Sequence, residues 1–166
     1  TFHGNLVRFL IAQGKIDEAE AYLHDRVAQA TDDKSSWLVT LVRFQMQQRS
    51  DKVALTELNK FIEENPDETG LRALRASLNF DSGQRDEGSA ELQAILEEAG
   101  DSASKDIQEI QVTLARMLSL NGNEVGARRL VEEIITVDPN SGPALKMQAA
   151  WLIQEDDTDG AINALR

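Results

Sequence analysis

Few residues in this sequence combine a type and spacing suited to covalent chemistry, and each fails on its surroundings. His3 and His24 have no second histidine or cysteine at ligand spacing, so they read as surface residues rather than metal ligands. The absence of cysteine excludes disulfides, thiol catalysis and cysteine-ligated zinc. Glu155-Asp156-Asp157-Thr158-Asp159-Gly160 looks like the opening of a calcium loop. Yet glutamate stands at its first ligand place, and Arg166 where the closing glutamate belongs, so it reads as an acidic turn between helices. Glu63-Glu64, Glu97-Glu98 and Glu132-Glu133 are paired carboxylates, but adjacent residues on a helix do not face one another. With no pocket to separate their pKa values, they read as solvated surface. Glycine-rich phosphate loops and Ser-His-Asp arrangements are also missing. The expectation is a chain with no catalytic residues, no metal and no cofactor.

Binding chemistry is better represented. Arg8, Arg43 and Arg116 each follow an apolar pair, Leu6-Val7, Leu41-Val42 and Leu114-Ala115. They fall at one place of an internal repeat, where the other copies carry Ser77 and Ala150. Three guanidinium groups in register stand out in a chain with 29 acidic residues, 17 basic ones and a net charge of −12. One reading is a ladder that binds carboxylates of a partner, often bidentately. The other is internal pairing with a neighbouring Asp or Glu, the aliphatic stems lying over the core. Three residues further on runs a second row, Ile11, Met46, Phe80, Ser119 and Ile153. Its apolar members either offer pockets to a partner or are buried against the following helices. The acidic excess repels a nucleic-acid backbone, and no basic-aromatic patch offsets it. No apolar run approaches the roughly 18 residues of a membrane span, so no direct insertion is expected.

The elements that hold these residues are helices. Hydrophobic residues make up 41% of the sequence, and only three prolines interrupt it. Leu, Ala, Glu and Gln abound, which favours helix over strand. Two units are punctuated by proline. One runs Trp37-Leu38, Leu41-Val42, Ala54, Leu58, Phe61-Ile62 to Asn65-Pro66-Asp67. The other runs Leu114-Ala115, Leu118, Gly122, Ala127, Val131, Ile134-Ile135 to Asp138-Pro139-Asn140. The template fits more loosely over Leu6 to Val27, Leu71 to Leu96 and Leu145 to Leu165. Apolar residues three and four apart stripe one side of each helix. Gly14, Gly83 and Gly122 sit where a first helix must stop and turn. Ala19, Ala54, Gly88, Ala127 and Ala161 are small enough to let the second helix approach the first. A hairpin of this size cannot bury its own apolar face, and stacking on neighbours solves that.

This pattern of small, large and turn residues resembles the tetratricopeptide repeat family over essentially the whole chain. Related helical-hairpin solenoids share it in outline. Tryptophan is missing from most units, and Arg75 and Gln148 stand where leucine is usual. The resemblance implies an all-α, right-handed superhelical solenoid of antiparallel helix pairs. Five degenerate repeats are expected in one array: 1–34, 35–68, 69–107, 108–141 and a truncated 142–166, with a polar insertion over 101–106. It also implies a concave groove lined by the first helices. The expected lining is Arg8, Ile11, Arg43, Met46, Ser77, Phe80, Arg116, Ser119, Lys146 and Ile153. Chaperone-binding members of the family hold a C-terminal carboxylate with a lysine and an asparagine four residues apart. Here those places carry Gly4 with Arg8, Val39 with Arg43, and Val112 with Arg116, so that clamp is absent.

The function expected from this resemblance is a protein-interaction scaffold that holds a partner peptide or helix with acidic and apolar residues. Two alternatives stand beside it: a self-assembling oligomerisation module, and the non-catalytic docking arm of a larger enzyme. The chain opens at Thr1 and closes at Arg166, each inside an expected helix, so a longer protein is anticipated. Leu152, Ile162 and Leu165 in the last unit are expected to expose apolar surface that a further segment or another copy covers. Acidic fragments of this family are frequent in bacteria, in cytoplasm and in periplasm or envelope. The residues themselves do not choose a compartment.

Overall fold

The computed structural model describes residues 2–31, 33–100, 102 and 104–165, Phe2 by its backbone alone. Asp101 and Ala103, inside the insertion expected from the sequence, lie outside the described residues, as do Thr1, Asp32 and Arg166. Among the described residues there are ten α-helices and no strand. They are α1 (Phe2–Ala12), α2 (Ile16–Gln29), α3 (Lys34–Gln48), α4 (Asp51–Glu64), α5 (Thr69–Asp81), α6 (Arg85–Ala99), α7 (Lys105–Leu120), α8 (Glu124–Val137), α9 (Gly142–Gln154) and α10 (Thr158–Ala164). Two compact units divide the chain, Thr1–Leu78 and Asn79–Arg166.

The reversals between paired helices are two or three residues long. Gly14, Gly83 and Gly122 adopt φ of +70°, +97° and +81°, the left-handed region that glycine enters without Cβ strain. The amide of Gly14 donates to the Ile11 carbonyl at 2.9 Å, and that of Lys15 to the Leu10 carbonyl at 2.9 Å. This is the Schellman pattern, which satisfies carbonyls that the helix end would otherwise leave open. It recurs at Gly83-Gln84 and Gly122-Asn123. At the last reversal Asp156 takes the same place with φ +63°, and Asp157 donates to the Leu152 carbonyl at 2.8 Å. Asn123 and Asp157 then cap the next helix, their side chains accepting from Gly126 and Gly160. The acidic run at 155–160 is thus a turn followed by a helix cap.

In the first unit one core takes in α2, α3, α4 and most of α5, with Leu23, Leu41, Leu58 and Leu71 fully buried. Val7, Leu10 and Ile11 of α1 pack against it. In the second unit α7, α8 and α9 share a core that holds Val112, Ala115, Val131, Ile134 and Trp151. The small residues Ala19, Ala54, Ala127 and Ala161 are at most 3% exposed, and Gly88 is buried with them. Each fully buried leucine contributes about 1.5–3 kcal/mol relative to an exposed one.

The reversal between α3 and α4 lacks the glycine and uses a polar anchor instead. Arg49, in the glycine place, reaches back to α2, where its Nη2 donates to Glu20 at 2.8 Å and it pairs with Asp17. Buried Gln45 donates its side-chain amide to the other Glu20 oxygen at 2.9 Å. Burial pushes the Glu20 carboxyl up, but hydrogen bonds from Gln45 and Arg49 outweigh it and hold the carboxyl below its usual range. A depressed folded value means Glu20 contributes stability that is complete above the ordinary carboxylate value. That contribution is lost as pH falls through the lowered one.

Two predictions follow from these elements. Gly122→Ala should cost about 1–2 kcal/mol of stability through left-handed backbone strain alone, since nothing lies within 4 Å of the added Cβ. Gly70→Ala, inside α5 and equally free of contacts, should stabilise by about 0.5–1 kcal/mol. Urea denaturation of both variants gives the two signs. For the anchor, the stability deficit of Glu20→Gln relative to the parent should be present at neutral pH and shrink below about pH 4. A deficit that stays constant across an acid titration contradicts the assigned network.

Candidate functional site

In the first unit, α1 and α3 flank a cavity of about 400 Å³ whose floor includes Leu23 of α2. Helical spacing decides what reaches it. Gly4, Val7, Arg8 and Ile11 recur every three or four residues along α1, and Trp37, Thr40, Phe44 and Gln47 do so along α3, with Arg43 beside them. The cavity therefore presents two guanidinium groups, those of Arg8 and Arg43, beside an apolar wall of Val7, Ile11 and Phe44. His3 and Trp37 belong to its lining. His3 Nδ1 is hydrogen-bonded to the Tyr22 hydroxyl, and the His3 ring stands edge-on to Trp37 with centroids 5.4 Å apart. Trp37 donates from Nε1 to Asp33 at 2.9 Å, and the Arg26 guanidinium lies 6.0 Å from its ring centroid. His3, expected at the surface, is half-buried in this cluster.

The second unit has its own cavity of about 420 Å³, between α7 and the connection leading into α9. Lys105, Glu109, Val112 and Arg116 line it from one stripe of α7, and Asp138, Asn140 and Ser141 close the other side. The spacing of 105, 109, 112 and 116 is that of a single helix face. Lys105 and Glu109 were therefore legible as companions of Arg116, although the sequence reading did not single them out. Asp138 and Asn140 come from a loop whose return no periodicity gives.

The remaining expected residues are spread more widely. Met46 is half-buried and packs on the first unit's core. Ser77 is half-buried, its hydroxyl donating to the Ala73 carbonyl at 3.0 Å. Phe80 is only 5% exposed, and the Arg85 guanidinium sits 5.5 Å from its ring centroid. Ser119 is half-buried, while Lys146 and Ile153 are exposed on α9. None of these six lines either cavity. The cavities thus gather Arg8, Ile11 and Arg43 in one unit and Arg116 in the other.

What separates these arginines from the rest is their lack of internal partners. Arg49 is tied to Asp17 and Glu20, and Arg128 pairs with Glu155 at 2.8 Å while lying 5.0 Å from the Trp151 ring centroid. Arg26 bonds Gln29 at 2.7 Å, and Arg129 pairs with Glu133 at 3.6 Å. Among the described residues, no hydrogen bond or ion pair engages the side chain of Arg8, Arg43 or Arg116. All three are exposed. Internal pairing, one of the two readings the sequence allowed, is not what the structure contains at these places. Also among the described residues, no group of three or more His, Cys, Asp or Glu side chains could hold a metal ion, and no helix is long and apolar enough to cross a membrane.

No protein-family model matches the sequence, and no curated protein matches it closely enough to count as a relative. Solved structures do resemble it. A tetratricopeptide repeat protein from Parabacteroides merdae aligns with TM-score 0.69 at 18% identity, over 97% of this chain and 63% of that one. MamA from Desulfovibrio magneticus aligns with TM-score 0.63 at 13% identity, over 98% and 89%. YrrB, described as a TPR protein with an unusual peptide-binding site, aligns with TM-score 0.60 at 15% identity, over 88% and 72%. At these identities the likeness is one of fold. The protein has an all-α fold of the tetratricopeptide repeat type.

Absence of internal partners has a measurable consequence. Alanine in place of Arg8, Arg43 or Arg116 should leave thermal stability within about 0.5 kcal/mol of the parent, as for surface residues without special contacts. Arg49→Ala should lower the melting temperature clearly, because it strands the Glu20 carboxylate. Equal effects at all four positions in thermal denaturation would contradict this division.

Proposed function

We propose that the chain is a non-catalytic protein-interaction module that holds a segment of a partner protein bearing acidic and apolar side chains. The observation that carries this reading is the first unit's cavity. Arg8 and Arg43, neither with a counter-ion among the described residues, stand beside the apolar wall of Val7, Ile11 and Phe44. A guanidinium group with no internal partner can turn to a carboxylate without breaking a bond in the protein. Its planar fork accepts that carboxylate in two parallel hydrogen bonds. The apolar wall beside it would take a side chain next to the acid, in the manner of an extended or helical ligand whose anchors alternate. Arg116 offers the same chemistry in the second unit, with Lys105 three turns away in the lining of the same cavity.

The overall charge of −12 bears on specificity. An acidic segment approaching such a chain is repelled at long range and gains only where local cations are free to meet it. Recognition then depends on a few arginines, and partners with acid at the wrong spacing are rejected. The unusual peptide-binding site described for the structural neighbour YrrB supports the same class of role.

Immobilised protein should capture such a partner from the native host. Arg43→Glu combined with Arg116→Glu should abolish capture while the far-ultraviolet circular dichroism stays that of the parent. Each single change should weaken binding by about tenfold or more, the value of about 1.5–3 kcal/mol for a hydrogen bond to a charged group. Unchanged capture by the double variant would remove the arginines from the reading.

A further inference from the structure

The two cavities differ in charge. The first is lined by Arg8 and Arg43 and by no acidic side chain. The second is lined by two cations, Lys105 and Arg116, and by two carboxylates, Glu109 and Asp138. Among the described residues, no ion pair engages any of these four side chains. Asp138 Oδ1 accepts from the Asn140 amide at 3.1 Å, a bond that leaves its charge without a cation. Lys105 and Glu109 are one turn apart, but lysine before glutamate is the order that gains least from such a pair. The second cavity thus holds both signs of charge, unspent on one another.

Helix α7 fixes where the charges stand. Glu109, Val112 and Arg116 follow one another at intervals of three and four residues, so they share a face. Glu109 and Arg116 are two turns apart, about 10 Å along the axis. Val112 lies between them, only 7% exposed, and gives the cavity an apolar floor. After the reversal at Gly122, α8 runs back along α7 and returns Asp138 to its first turns. The two carboxylates therefore gather near the start of α7, and the Arg116 guanidinium stands further along it.

We propose that the second cavity takes a segment of a partner protein bearing one basic and one acidic side chain about 10 Å apart. The basic group meets Glu109 and Asp138, and the acidic group meets Arg116. This rests on the reading of the chain as an interaction module, and adds a requirement that the first cavity does not impose. Charge complementarity selects the occupant. A purely acidic segment satisfies Arg116 but brings like charge onto Glu109 and Asp138. A purely basic one satisfies those carboxylates and meets like charge at Arg116. A polyproline-type segment suits the spacing, because side chains three residues apart share a face at about 9 Å.

Blocked peptides Lys-Pro-Pro-Glu and Glu-Pro-Pro-Lys, whose prolines hold that spacing, are the probes. They are titrated into the full isotope-labelled chain while the amide signals of Val112, Thr113 and Arg116 are followed. At least one peptide should bind about threefold more tightly than its versions with glutamine for lysine or for glutamate, the scale of one exposed ion pair. Glu109→Gln should erase the preference for lysine and keep that for glutamate, and Arg116→Gln should do the reverse. Both positions are exposed, and circular dichroism should show both variants folded. An acid-only peptide that binds as well as the mixed one overturns this proposal and leaves the interaction module standing. A base-only peptide that does so overturns it too, as does mixed-peptide binding that neither variant changes. Absence of any shift up to the peptides' solubility limit also overturns it. The module reading falls separately, by unchanged partner capture in the variant carrying both Arg43→Glu and Arg116→Glu.

Discussion

Close approach of two helices at a side chain no larger than a methyl group is the constraint on which the rest depends. At Ala19, Ala54, Gly88, Ala127 and Ala161 the second helix of a pair carries a small residue, and all five are buried. One turn later a column of leucine or valine fills the space that this approach creates. A larger residue at the small position would push the helices apart and leave that column unpacked, a cost interiors at crystal-like density do not absorb. The short reversals serve the same end. They bring the second helix back directly beside the first, and a left-handed residue is the device that allows it.

Polar groups divide into those that set this geometry and those left over from it. Arg49, Glu20, Asp17 and Gln45 form a network that replaces the missing glycine turn between α3 and α4. Arg128, pairing with Glu155 and lying over Trp151, ties α8 to the residue that follows α9. Arg8, Arg43 and Arg116 contribute to neither. They stand exposed on first helices, with cavities of about 400 and 420 Å³ beside them. Among the described residues, no hydrogen bond or ion pair engages their side chains.

Much of this was legible in the sequence because the repeat writes each position several times. The glycine turns, the small-residue column and the stripe of buried leucines recur at fixed spacing, and the physical demand at each place is local. The tetratricopeptide-type fold followed from them. Phe80 and Arg49 show where legibility stopped. By spacing Phe80 belongs with Ile11 and Ile153, yet it is buried under Arg85 while Ile153 is 60% exposed. The difference comes from which neighbour covers each helix, and that is not written in the helix itself. Arg49 gave no sign of being an anchor, since its partners lie 29 and 32 residues away.

The sequence by itself determined the helices, their reversals and their repeat register, because hydrophobic period and backbone sterics act within a few residues. It also named Arg8, Arg43 and Arg116 as one row, while leaving open whether they were paired. Only the tertiary structure decided that they have no acidic partner among the described residues, and that Arg8 and Arg43 line one cavity with Val7, Ile11 and Phe44. The reason is distance along the chain. Whether a carboxylate meets a guanidinium depends on helices brought together from separate hairpins, and one-dimensional spacing holds no record of that approach.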